Sequence, residues 1–135
     1  MTADLTRFLH ETMPFSAVIG AEAIRASADE VSARVEWDPS RCTTAGVLHG
    51  GVLMTLADTV GAWCAFLNLP DGSNTTTIES KTNFLRASRG GSVVATARPL
   101  HAGRQVIVVD TELRDDEGRL IARVTQSQAV LAPRS

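Results

Sequence analysis

The chain has 135 residues and a mass of 14.4 kDa, with 44% hydrophobic, 21% charged and 4% aromatic side chains. That suits a single globular domain over residues 1–135 and is too short for two, since domains commonly run about 100 to 150 residues. A net charge of -2 lacks the basic excess expected of a nucleic-acid or anionic-membrane partner, and two cysteines, Cys42 and Cys64, are too few for a disulfide scaffold and fit a reducing, cytoplasmic setting. The opening stretch MTADLTRFLHETMPF carries Asp4 and Glu11 and has no basic region followed by an apolar run, so it does not read as a secretory leader. Leu5, Phe8 and Leu9 stand at helical spacing and predict a short helix that stops before Pro14.

From Ala17 to Trp37 the chain is rich in apolar and β-branched residues. Val31, Ala33, Val35 and Trp37 alternate with Ser32, Arg34 and Glu36, the pattern of a half-buried strand. Asp38, Pro39 and Ser40 break it and begin a loop to about Gly46. The segment from Val47 to Leu69 is apolar and about long enough to span a bilayer. Asp58 at its centre, with His49, Asn68 and several Thr and Gly, argues against that and for a long helix buried in a soluble fold. Pro70, Asp71, Gly72 and Ser73 end it in a turn.

Four strand-like stretches follow: 75–85, 92–100, 105–113 and 119–131. Gly90 and Gly91, then Ala102 and Gly103, then Asp115 to Gly118 separate them at near-hairpin spacing. An antiparallel meander is expected. Its core-facing side and the apolar helix need each other, which predicts an α+β fold with a sheet wrapped on one helix.

At the helix start, His49, Gly50 and Gly51 expose backbone N–H groups that lack intrahelical partners and can point at an anion or a polarised carbonyl, as an oxyanion hole does. The glycines equally permit a tight turn and close packing. Asp58, among Leu56, Ala57, Val60 and Gly61 with no adjacent Lys or Arg, is costly to bury unless paired or used. Gly51 and Asp58 lie on nearly one helix face but ~10 Å apart along the axis. One helix cannot close both around one carbonyl, so the expected site lies between two subunits, with amide and carboxylate from different chains.

The run GVLHGGVLMTLADTVGAWCA, followed by TNFLRASRGG, PLHAGR and DDEGRLIA, resembles the hotdog-fold acyl-CoA thioesterases, in the group related to phenylacetyl-CoA and 4-hydroxybenzoyl-CoA thioesterases. The likeness extends over about residues 40–131. It implies an antiparallel sheet around one long helix, subunits paired through the sheet, a dimer or dimer of dimers, and hydrolysis of an aromatic or medium-chain acyl-CoA without a cofactor. It further implies that Asp58 is base or nucleophile, that the Gly50 N–H polarises the thioester carbonyl, and that His49 shapes the hole, with Gly51 beside it. Thr43 stands where relatives often carry Gln or Asn against the thioester, and Ala62 where some carry Ser or Thr. Those departures motivate the alternative of a non-catalytic acyl-CoA-binding or regulatory hotdog domain. Thr77 matches a position near the acyl group, where its hydroxyl could orient water; it is equally an ordinary strand threonine.

Charge is unevenly spread: residues 81–109 hold Lys81, Arg86, Arg89, Arg98 and Arg104 and no acid. Such a window suits a polyanion such as a few phosphates, or simply a solvated sheet face. The resemblance assigns to coenzyme A the strand end Phe84, Leu85, Arg86 and Ala87 with Arg89, and the turn His101, Gly103 and Arg104. Cys64 lacks a basic neighbour to activate it. The histidines show no metal-ligand spacing, and Asp115 to Gly118 reads as a hairpin turn rather than a calcium loop.

Overall fold

The computed structural model describes residues 1–133. Its elements are α1 (Thr2–Thr12), α2 (Pro14–Val18), β1 (Glu22–Ala26), β2 (Val31–Glu36), two short 3-10 turns (Pro39–Arg41 and Thr44–Gly46), α3 (Gly50–Phe66), β3 (Asn74–Phe84), β4 (Ser92–Ala102), β5 (Val106–Asp115) and β6 (Leu120–Leu131). Alternation orients the strands. Val31, Ala33 and Val35 on β2, Val93, Ala95 and Ala97 on β4, and Ile107, Val109 and Leu113 on β5 are all buried. Their neighbours in sequence point to the other face, as the two-residue repeat of a strand requires.

The inward alanines let α3 lie close to the sheet, and α3 fills the concave side with Leu53, Leu56, Ala57, Val60, Trp63 and Cys64. Burying Leu56 and Val60 contributes about 2 kcal/mol each. At the far end of α3 the Asn68 amide donates to Cys64 O at 2.9 Å and to Ala28 O at 2.8 Å. That ties the helix end to the β1–β2 hairpin just before Pro70 stops the chain from continuing.

The six strands pair antiparallel in the order β1-β2-β4-β5-β6-β3. This is the sheet wrapped on one helix that the sequence predicts, with two corrections. The region 17–37 holds the last residues of α2 and two strands rather than one, because Ser27 and Glu30 exchange backbone hydrogen bonds and fold the strands into a hairpin. And β3 does not pair with β4. It takes the free edge of β6, from Asn74 opposite Leu131 to Phe84 opposite Ala122. The connection over residues 85–91 crosses the end of the sheet to reach β4. Seven residues can span about 23 Å, whereas three strand spacings need only about 14 Å. The crossing is anchored beside the start of α3, where Leu48 N–H donates to Ser88 O, and Trp37 N–H donates to Gly91 O.

Candidate active site

The start of α3 is shaped by His49. Its Nδ1 accepts from Gly51 N–H at 2.7 Å, and its carbonyl accepts from Val52 N–H at 2.9 Å. An accepting Nδ1 puts the proton of the neutral ring on Nε2. Gly50 N–H, between these capped groups, has no hydrogen-bond partner among the described residues. The ring of Phe84 lies over Gly50, where a Cβ would come 3.1 Å from Cζ. The structure therefore brings Gly50 together with Phe84, Leu85, Arg86 and Ala87, around a cleft of about 330 Å³. Of the sequence-predicted helix-start donors, one is free and the other, Gly51, is occupied by the imidazole.

Two turns along α3 stands Asp58. Its side chain is exposed, because the apolar residues next to it in sequence point elsewhere: at 100° per residue Leu56 and Val60 lie on the opposite side of the helix. The expected apolar surroundings are thus not found. Oδ1 accepts from Thr77 Oγ1 at 3.2 Å and from Gln126 Nε2. Oδ2 has no partner, and no Lys or Arg forms an ion pair with Asp58, among the described residues. Thr77 Oγ1 in turn accepts from Gln128 Nε2 at 2.7 Å and from Gln126 Nε2 at 3.3 Å. A hydroxyl has one proton and two lone pairs, so Thr77, accepting from both amides, gives its proton to Asp58. Gln126 and Gln128 were not foreseen in the sequence. The signal was there: in the strand after Ala122 and Val124 they fall on the core-facing phase, where polar side chains need a reason.

Below Thr77 an apolar cleft of about 400 Å³ opens between α1, α3 and β3, walled by Phe8, Met13, Ala62, Trp63 and Phe66. The Phe8 and Trp63 rings stand 5.7 Å apart at 39°, a tilted contact that fixes α1 against α3. Ala62, one turn after Asp58, lines it; Thr77 joins it to the carboxylate. Leu53 borders the cleft at the helix start, and Met54 is exposed.

A polar cleft of about 460 Å³ holds Arg86, Ser88, Arg89 and Arg119 with the acids of the β5–β6 turn. Arg119 is committed to Asp115, with Nε 2.8 Å from Oδ2. Arg86 and Arg89 form no ion pair among the described residues, and Ser88 Oγ is buried without a partner. His101, Gly103 and Arg104 sit at the opposite end of β4, roughly 30 Å away along a strand of this length. One chain therefore does not unite the basic window. Arg98 is spent on Glu30 at 2.7 Å. Thr43 lies exposed in the loop before α3, its N–H bonded to Val47 O at 2.8 Å. Burial pushes the Cys64 thiol up to about 11, which keeps it protonated and inert at neutral pH.

A family model described as the thioesterase superfamily matches residues 45–122. The proofreading thioesterase EntH of Cronobacter turicensis is 31% identical over 113 residues, covering 84% of this chain and 82% of that protein. Among solved structures, a thioesterase from Haemophilus influenzae superposes with a TM-score of 0.88 at 27% identity, over 97% of this chain and 90% of its own. A phenylacetic acid degradation-related protein from Ralstonia eutropha superposes with a TM-score of 0.80 at 25% identity, over 91% of this chain and 96% of its own.

Proposed function

The chain belongs to the thioesterase superfamily and is a hydrolase acting on thioesters, and from this premise we propose that it hydrolyses an aromatic or medium-chain acyl-CoA at a site shared by two subunits. The observation that carries the reading is the division of labour along α3. Gly50 N–H and Asp58 Oδ2 lie on one helix, each without a hydrogen-bond partner among the described residues, eight residues and about 12 Å apart along its axis. A carbonyl carbon under attack needs both within about 3 Å of its reacting atoms. A second copy supplies what one helix cannot. β3 ends the sheet with one edge unpaired, and antiparallel pairing of two such edges continues the sheet across a two-fold axis. It also sets the two α3 helices antiparallel, carboxylate of one toward N-terminus of the other.

In this arrangement the thioester oxygen accepts from the partner's Gly50 N–H, beside the Nε2–H of its His49. Asp58 Oδ2 takes a proton from water as the water oxygen bonds the carbonyl carbon. The tetrahedral intermediate then collapses, the C–S bond breaks, and the proton passes from Asp58 to the departing thiolate. The acyl group enters the apolar cleft against Ala62, where the Phe8 and Trp63 rings suit an aryl group. Two-fold pairing through β3 also brings Arg86 and Arg89 of one copy to the same end of the assembly as His101, Gly103 and Arg104 of the other, reuniting the basic window around the nucleotide phosphates. The two unpaired cysteines suit a reducing, cytoplasmic setting.

Thiol release from a panel of aromatic and aliphatic acyl-CoAs tests the substrate, with Asp58→Asn expected to release thiol about 10³-fold more slowly or not at all. A shared site is tested by complementation. Gly50→Pro deletes the one N–H at a helix position that tolerates proline, after a residue already extended at φ -62, ψ 134. Mixed with Asp58→Asn under subunit exchange, two inactive variants should recover activity. Heterodimers that form and stay inactive would refute the shared site, and a chain that releases thiol from no acyl-CoA would refute the substrate class.

A further inference from the structure

Gln126 is fully buried on the helix-facing side of β6, and its two amide ends are treated unequally. Nε2 faces Asp58 Oδ1 and lies 3.3 Å from Thr77 Oγ1. Oε1 is buried with no partner among the described residues. Chemistry decides the orientation: an ionised carboxylate only accepts, so the amide must present its N–H to it, and a flipped amide would set Oε1 against Oδ1. The oxygen left over lies against Gly61, where a Cβ would overlap it. Gly61 is itself buried in the interior of α3, three residues after Asp58. Glycine there is less stable than alanine, and an orphaned buried acceptor costs stability as well. Two unfavourable choices, on different elements, converge on the same amide.

We propose that Gln126 is a positioning residue for thioester hydrolysis: its amide, seated over Gly61, pins Asp58 Oδ1 and so directs Oδ2 at the reacting carbon or its water. Thr77 is the second arm. Held by Gln128, it delivers its hydroxyl proton to the same oxygen. Both donors are neutral, so they orient the carboxylate without neutralising it. This inference rests on the reading of Asp58 as the reacting carboxylate.

The test measures kcat, KM and melting temperature for Gln126→Leu, Gln126→Ala, Gly61→Ala, the Gln126→Ala/Gly61→Ala double variant and Asp58→Asn. Loss of the amide should lower kcat by about 10- to 100-fold, with KM within about threefold of wild type. Gly61→Ala keeps the amide but displaces it, and should lower kcat by about tenfold. In the Gln126→Ala background the added methyl has no amide to displace, so it should cost nothing further in kcat. A purely structural role would give additive losses that follow melting temperature. Wild-type kcat in folded Gln126→Leu, alongside an inactive Asp58→Asn, would overturn the positioning role alone, as would full additivity. An active Asp58→Asn would overturn the carboxylate reading and this inference with it. Should truncation at Gln126 prevent folding, Gly61→Ala carries the test: an unchanged kcat there overturns the proposal.

Discussion

Two aspartates, one in the β5–β6 turn and one midway along α3, are held by hydrogen bonds and differ in what is left over. In the β5–β6 turn, Asp115 Oδ1 accepts from the backbone N–H groups of Glu117 and Arg119 at 3.0 and 2.9 Å, and Oδ2 from Arg119 Nε at 2.8 Å. Nothing of that carboxylate remains free, and a cation sits on it. On α3, Asp58 has Oδ1 bound by an amide and a hydroxyl, with no partner for Oδ2 and no cation paired with it among the described residues. Partners make the difference, since the residue type is the same. A carboxylate spent on its own turn closes a hairpin; one held by neutral donors at a single oxygen keeps the other available for a proton or a bond.

The widest separation between the two should be kinetic. Asp58→Asn is expected to lower kcat by about 10³-fold or more while barely altering the melting temperature, because its face of α3 is open to solvent. Asp115→Asn should do the reverse, leaving kcat within about twofold and lowering the melting temperature. Parallel kinetics and thermal melts of the two variants check this. Equal kinetic losses would erase the distinction between a free and a spent carboxylate.

The contrast extends to the arginines of the polar cleft. Arg119 shares the hairpin with Asp115, whereas Arg86 and Arg89, a few residues beyond β3, form no ion pair among the described residues. Unspent guanidinium groups beside a buried, partnerless Ser88 hydroxyl suit phosphate oxygens. Arg86→Ala or Arg89→Ala should each raise KM for an acyl-CoA by about tenfold with kcat little changed, the signature of binding shared by ground and transition states. Acyl-pantetheine, which lacks the nucleotide, should not register the change. Equal losses on both substrates would place these arginines outside the nucleotide site.

Much of this was legible in the sequence, and the misses have physical causes. The start of α3 showed in His49-Gly50-Gly51 and its end in Pro70, and five of the six strands showed in alternation or as strand-like stretches between turn residues, because these signals are local. The neighbour of β3 did not show: a strand's own pattern says which face is buried, not which edge it meets. The strand β1 escaped notice because its five residues bury only Ala23 fully, too short a repeat to read. Asp58 stood out, but its surroundings were misjudged from residues adjacent in sequence, which a helix turns away. The basic window looked continuous until β4 separated its two ends. Gln126 and Gln128 carry no motif, and only the phase of β6, which turns both inward, marks them.

Acid gives the smallest and most specific probe of the two carboxylates. Burial raises the pKa of Asp115, but the backbone and side chain of Arg119 and the Glu117 N–H outweigh it and hold the carboxyl below its ordinary value. A group whose pKa is lower folded than unfolded stabilises the fold above the unfolded value, ~3.9 for aspartate, and loses that contribution as pH falls through the folded value. The melting temperature of wild type should therefore exceed that of Asp115→Asn most clearly at pH 6 to 7, and the gap should close as pH drops below about 4. Exposure of the Arg119 partner limits the gap to a few degrees, and added salt should shrink it. A gap that stays constant down to strong acid would mean that the turn is held by the shape of the side chain rather than its charge. Asp115 would then no longer serve as the spent carboxylate against which Asp58 is judged.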